Sequence, residues 1–541
     1  MKYALRQTAD KLFTVGALLA VVLIVAALAG ILLPMIWRGS SAVVFRGTVE
    51  FRRMQMEQFG HGDSAAVNAE LAQVAPIRQK AYEILDRFSA GLDTTELVSR
   101  IRQIHRQFGA QLTNREVPPD QYETARDLSR MLRDELLAAL DAPDGALALP
   151  HLDAVLAHDQ DAALKDTAAG AYFDIAREYR RIATSVDLPR REEYAQSLAK
   201  ISEAMKGLLG PRPGQPVPEG GAMQRYGATR WDQAQQQLDQ LLWDEQWVSQ
   251  GPGRPLKKVL TPRAQQFAGT PLAELFPYVQ QNAAAMLGPR WTFYGRFFTD
   301  DNVSSHYFGG VGPETLGTLL VTVLAVVVAL PLGVVAAAYL VECAPDTHST
   351  RALRTCINTL AGVPSIVFGL FGQAFFMLYL LPKFGLRRDS SIIAGSLTLA
   401  VLVLPVVIRA SEEAIRTVPR AFREAALALG AGRLHCFLTV TLPAALPGIL
   451  TGLILSMSRA AGETAPILFT VAVASGPVPR SLAQPTRTLS YGCYDMAVGD
   501  RIAMLAPHNL FGMVVTLVAI VLLLNAAAIA LRGRVARRLR G

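Results

Sequence analysis

A chain of 541 residues is longer than one ordinary domain, and an apolar share of 51% with mean hydropathy +0.25 is high for a water-soluble protein. The net charge of +8 does not point to nucleic acid: the charged stretch from Trp37 to Asp301 holds most of the acidic residues and is mildly acidic, so the positive excess sits in short loops and tails. The four cysteines, Cys343, Cys356, Cys436 and Cys493, lie outside that stretch, so no disulfide framework is implied, and no CxxC or Cys/His spacing suggests a metal; Cys493 reads as an incidental thiol in an exposed loop.

The first apolar block, Leu12 to Ile36, follows Lys2, Arg6 and Lys11, a basic flank that holds an N-terminus in the cytoplasm. Ala27-Leu28-Ala29 resembles a signal-peptide cleavage site, but the apolar run continues through Leu33, long enough to span a bilayer. Residues 1–37 are therefore expected to be a cytoplasmic start and a first transmembrane helix.

Residues 38–306 are then expected outside, as a large, mainly helical periplasmic domain inserted between the first two spans. Apolar residues recur at helical spacing over Ala65–Phe108, Pro119–Leu140, Ala162–Ile182, Arg190–Leu209 and Arg225–Val248. The Pro/Gly-rich stretch 210–221 reads as a linker. Partner binding, sensing and simple stiffening all remain open as roles for this domain.

Five further apolar blocks complete residues 307–541: Thr315–Val341, Ile357–Leu381, Ser391–Ile408, Ala444–Ala474 and Leu510–Leu531. Each has the ~20 residues that a helix needs to cross the hydrocarbon core. Pro331, Pro364, Pro405 and Pro466 are expected to kink these helices rather than end them. Six spans return the C-terminus to the cytoplasm, and the arginine-rich tail from Arg532 agrees. Arg351 and Arg354, and the group Arg409, Arg416, Arg420, Arg423 and Arg433, also fall inside; Lys383, Arg387 and Arg388 fall outside, as a tolerated basic loop or a lure for anions.

Within residues 411–443, Glu424-Ala425-Ala426 is followed by three residues, Gly430, nine residues, and then Val440-Thr441-Leu442-Pro443. This resembles the EAA loop of permease subunits in binding-protein-dependent ABC importers, with valine for the usual isoleucine. Arg423–Leu429 is expected to be a short helix, Gly430 a sharp turn and the residues up to Pro443 a second short helix, together a rigid knob on which a soluble ATPase can push. No GxxxxGK[ST] phosphate loop occurs in the chain, so nucleotide hydrolysis is assigned elsewhere.

Arg459 and Glu463 stand one helical turn apart, near the middle of the fifth apolar block. Charges at such depth are costly and usually face a pathway. Arginine offers a forked donor to tetrahedral oxyanions, and Glu463 would neutralise it when the path is empty. The alternative is a structural ion pair. Thr464 and Ser458 either donate to the same anion or bond their own backbone. Arg409 either guides the leaving anion or snorkels to headgroups. Thr315, Thr318 and Thr322 line a polar face or serve helix packing.

Beyond the loop, Gly309-Gly-Val-Gly-Pro313, Pro331-Leu-Gly-Val334, Tyr339-Leu-Val-Glu342, Ala361-Gly-Val-Pro-Ser-Ile-Val-Phe-Gly-Leu-Phe371, Leu404-Pro-Val-Val-Ile-Arg409 and Arg459-Ala-Ala-Gly-Glu-Thr-Ala-Pro-Ile467 resemble the A-type permease family (PstA) of phosphate ABC importers. The resemblance covers about 200 residues, from Gly309 to the last span; the insertion is similar to the extension of long-form members. It implies an all-α membrane protein of the type I importer permease kind, a transport subunit in the inner membrane rather than an enzyme. It also implies inorganic phosphate as the solute. Glu424, Ala425, Ala426, Gly430, Leu442 and Pro443 are implied as the ATPase-coupling loop, and Arg459, Glu463, Thr464 and Arg409 as the phosphate path. The implied partners are a C-type permease, a dimer of ATPase subunits that use ATP and magnesium, a periplasmic phosphate-binding protein and membrane lipid, with no cofactor on this chain and no nucleic acid. Another oxyanion, sulfate or molybdate, fits the loop but fits the GETAP and PSIVFGLF segments poorly. A membrane sensor would be expected to carry a cytoplasmic output domain, and the short basic stretch after Leu531 argues against that reading; no Ser/His, Asp/Asp or HExxH set at membrane depth suggests an intramembrane enzyme.

Overall fold

A computed structural model describes residues 2–92, 94–114, 121–161, 164, 167–185, 190–214, 222–248, 257–303, 306–473, 476, 478–499 and 506–540. The chain divides into two compact units, one of residues 1–45 with 292–541 and one of Arg46–Trp291.

Among the described residues, the first unit holds six helices long and apolar enough to cross a membrane: Leu12–Ser40, Gly312–Cys343, Ser365–Lys383, Ile392–Arg416, Arg433–Gly462 and Pro507–Arg538. The expected all-α architecture with six spans is thus met. The fourth span is the most enclosed, with buried Leu399, Val403 and Val407 facing Val321, Ala325 and Ala329 of the second and Ala460 of the fifth. The first span leaves nearly its whole apolar surface open, and touches the sixth at Gly39, where Phe511 and Val515 approach closely. Such a helix is stable only where lipid or another apolar surface replaces water.

Two spans depart most from the sequence reading. The third span begins at Ser365, not Ile357, because His348–Leu360 is a separate amphipathic helix and Pro364 caps the next one. A proline lacks the N–H that a continuous helix needs and is cheap only in a first turn. Likewise the fifth span begins at Arg433 and stops at Gly462; the helix resumes over Ala465–Thr470 with Pro466 in its first turn. Ala474, the expected end of that block, lies outside the described residues. By contrast, Pro331 and Pro405 do sit inside helices.

Small residues let the fourth and fifth spans meet at backbone distance. A Cβ on Gly452 would lie 2.4 Å from the Ala410 Cβ, and one on Gly448 2.6 Å from that of Ala414. An alanine Cβ cannot swing aside, so relief requires the helices to part. Gly452→Val is therefore expected to destabilise this unit by about 1–3 kcal/mol, read as a lowered midpoint in thermal unfolding of the purified protein; an unchanged midpoint would show that the spans do not pack this way.

The second unit has two apolar cores. One gathers Tyr82, Phe88, Tyr194, Phe267 and Phe276 between helices Ser64–Leu92, Arg191–Leu209 and Leu275–Leu287. The other gathers Phe108, Leu132, Leu152, Tyr172 and Tyr179 from helices between Thr95 and Ser185. The single helix expected over Ala65–Phe108 is two, ending at Leu92 and restarting at Thr95. Helices Val49–Phe59, Gly145–Leu156 and Leu275–Leu287 were not expected. Trp243–Val248, expected to finish a helix, instead pairs as a strand with Lys257–Pro262; its two tryptophans and a valine suit a pleated ladder. Of the expected linker, 215–221 lies outside the described residues, as do positions 119, 120 and 162 at the starts of two expected helices.

Candidate functional site

Pro419, in extended geometry, opens the helix Arg420–Ala428 between the fourth and fifth spans. Gly430 closes it at φ +89°, a left-handed value that glycine adopts without a Cβ clash, and the Gly430 and Ala431 amides bond back to Leu427 and Ala426. No residue of this helix is buried. Glu424 and Ala425 are exposed, Ala426 is half-buried, and Phe422, Leu427 and Leu429 present apolar surface, Leu429 at 90% exposure.

The helix is nonetheless clasped to the membrane helices at its base. Arg423 pairs with Glu342 at 3.1 Å, on the π-helical turn Tyr339–Cys343 that ends the second span, and donates to the Ile415 carbonyl of the fourth. The Cys436 thiol donates to the Arg423 carbonyl at 3.8 Å. The base of this knob is therefore fixed to the second, fourth and fifth spans together. The separate second helix expected up to Pro443 is absent: Arg433–Cys436 runs through a π-helical turn, Phe437–Thr441, directly into Leu442–Gly462. The wider turn accommodates Pro443, whose ring would otherwise press on the preceding turn. Leu442 and Pro443 are thus part of the fifth span.

Arg459 and Glu463 do come together, but not at the middle of an unbroken helix. Arg459 lies in the last turn before Gly462, and Glu463 caps that helix in extended geometry. The Arg459 Nε donates to the Glu463 Oε1 at 3.3 Å, with the side chains 37% and 17% exposed. The pair therefore stands at a helix break, the arginine open on one side. Thr464 is half-buried beside it, and Ser490 donates to the Glu463 carbonyl. The Ser458 hydroxyl is bonded to Ile454 and to Asn525 of the sixth span.

Arg409 is exposed in a different cavity of about 540 Å³, lined also by Arg354, Asn358, Glu412 and Arg416 but not by Arg459 or Glu463. Thr318 and Thr322 are buried; the Thr318 hydroxyl donates to the Glu314 carbonyl and accepts from the Leu489 amide, which favours packing over a polar lining.

A buried polar cluster had no sequence signal. Glu314, fully buried, accepts from Asn302 at 2.6 Å and lies 3.1 Å from the His306 Nε2 and 3.5 Å from Arg487. Arg487 reaches Asp301 at 2.6 Å, and Asn509 donates to the His306 carbonyl. It ties the lead-in to the second span to segments almost 200 positions later, and a lone acidic residue in a first helical turn announces none of this.

Cys493 is not in an exposed loop: it lies in the helix Leu489–Tyr494, half-buried, and burial pushes its thiol up to about 12. At pH 8 only about one thiol in ten thousand would be thiolate. Maleimide is expected to label the exposed Cys343 and Cys356 and to leave Cys493 unmodified, as mass spectrometry of tryptic peptides would show; rapid labelling of Cys493 would place it at the surface.

Residues 329–541, wholly within the first unit, match the family described as binding-protein-dependent transport system inner membrane component. The chain is 37% identical over 199 residues to the probable ABC transporter permease protein YqgI of Bacillus subtilis, covering 37% of this chain and 64% of that one. It is 42% identical over 165 residues to the phosphate transport system permease protein PstA 1 of Mycobacterium tuberculosis, covering 30% and 52%. The chain thus spans about half to two thirds of the length of these relatives. Among solved structures, an inward-facing MetNI methionine ABC transporter aligns with 41% of this chain and 94% of its own, at 20% identity and a TM-score of 0.34.

Proposed function

We propose, from the match of residues 329–541 to the family described as binding-protein-dependent transport system inner membrane component, that this chain is the channel-forming subunit of an ATP-driven phosphate importer. The observation that carries the reading is the exposed helix Arg420–Ala428, which presents the Glu424-Ala425-Ala426 and Gly430 spacing and is clasped through Arg423 to two membrane spans. A knob with a free outer face and a fixed base suits a receiver of force from a separate ATPase.

In this reading the chain adopts the type I importer permease topology. It pairs with a C-type permease in the inner membrane, its termini in the cytoplasm and residues 38–306 in the periplasm. A phosphate-binding protein docks outside, two ATPase subunits close on ATP inside, and the loops 411–443 convert that closure into opening of the outer mouth. Hydrolysis restores the inward-facing form. Phosphate passes Arg459, whose guanidinium donates two parallel hydrogen bonds to the anion. Glu463 holds that guanidinium when no anion is present. Arg409, at the inner end of the fourth span, meets the leaving anion.

Phosphate is favoured as the solute by the similarity to phosphate transport system permeases and by the residues Arg459–Ile467. The test is competition in vesicles carrying the whole assembly with its ATPase and solute receptor. ATP-dependent uptake of labelled phosphate should resist excess sulfate and molybdate. Uptake of either competitor in place of phosphate would reassign the solute, and accumulation without ATP would end the importer reading.

A further inference from the structure

We infer that the Arg46–Trp291 unit carries a binding site of its own for a small oxyanion, built on Arg78. This side chain is 4% exposed on the helix Ser64–Leu92, and it is already used as a clamp. Its Nε donates to the Met286 carbonyl, and its Nη1 to the Leu209 carbonyl and to Glu50. These bonds hold two helix ends, where arginine suits unsatisfied carbonyls. They leave Nη2, which is buried and has no hydrogen-bond partner among the described residues. A buried charged donor without an acceptor is costly, and native interiors rarely retain one without a reason.

Arg78 lines a cavity of about 310 Å³ with two further guanidinium groups, Arg53 and Arg212. Both are held in place. Arg53 bonds Glu57 at 2.8 Å and lies over the Tyr226 ring; Arg212 grips Asp86 with both terminal nitrogens and lies over the Tyr82 ring. Leu71, Val74 and Pro211 add apolar lining. Three arginines whose guanidinium groups are held in place line one cavity, and Arg78 among them has an unspent buried N–H. That arrangement matches a group with several acceptor oxygens: phosphate, sulfate or a small carboxylate.

Glu50, Glu57 and Asp86 offset the three positive charges, so recognition rests on directed N–H groups rather than on net charge. A bare halide gains little there, because it cannot satisfy divergent donors. The site is independent of the transport reading and does not involve Arg459.

The experiment is isothermal titration of the purified full chain in detergent with potassium phosphate, sulfate and succinate, at constant ionic strength set with chloride. At least one of the three is expected to bind saturably, and that binding is expected to persist in Arg459→Gln, the background in which the membrane-unit contact is removed. Arg78→Lys keeps the charge but removes the fork, and Arg212→Gln removes a more exposed wall; each is expected to weaken binding at least about tenfold. Circular dichroism checks that both variants fold, and if Arg78→Lys does not, Arg212→Gln decides. The site is overturned if none of the three anions binds saturably, if Arg212→Gln binds with wild-type affinity, or if Arg459→Gln alone abolishes the signal.

Discussion

Replacing Glu424 with lysine is expected to abolish ATP-driven phosphate uptake while leaving the amount of protein in the membrane unchanged. Glu424 is exposed and makes no ion pair or hydrogen bond among the described residues, so the chain has nothing to lose by its removal. Surface changes of that kind usually alter stability by less than about 0.5 kcal/mol. Any large effect must therefore arise in a partner that reads this face. An exposed helix flanked by Phe422, Leu427 and Leu429 has the composition of a contact centre, where reversing one charge costs about 2 kcal/mol or more, equivalent to a thirtyfold weaker grip. Two measurements separate the possibilities: initial uptake of labelled phosphate in whole cells, and the amount of ATPase that co-purifies with the tagged chain. Both should fall for Glu424→Lys, and Glu424→Gln should lie between it and wild type. Wild-type uptake with lysine in place would remove the coupling role from this loop.

What the sequence made legible follows from the range of each signal. The six spans were readable because ~20 apolar residues in a row have few other uses, and the knob was readable because its turn needs a glycine at one position, Gly430. The errors came where hydropathy and helix geometry part company. Ile357–Leu360 is apolar enough to join the third span, yet Pro364 starts a new helix behind it; Leu468 and Phe469 likewise seemed to continue the fifth span, though Pro466 had already ended it. In both cases the proline was read as a kink when it marks a helix start, Pro364 as the cap and Pro466 in the first turn. The Glu314 cluster was invisible for another reason: Asp301 and Arg487 meet across 186 positions, and such contacts depend on how the spans pack.

That correction sharpens the test of Arg459. At a helix break the guanidinium is 37% exposed and bound to Glu463 on one side only, so its removal asks two different questions. If the pair is structural, Arg459→Gln is harmful mainly because it leaves Glu463 uncompensated, and Arg459→Gln with Glu463→Gln should recover most of the loss. If Arg459 instead meets phosphate, the double variant stays inactive, because no cation remains to accept the anion. A charge-assisted bond of this type contributes about 1.5–3 kcal/mol, so uptake should drop roughly ten- to a hundredfold in both the single and the double variant. ATPase co-purification should stay at the wild-type level, since the knob lies on another segment of the chain. Recovery of uptake in the double variant would make the pair a strut between segments and would move the search for the anion contact to Arg409 and its cavity.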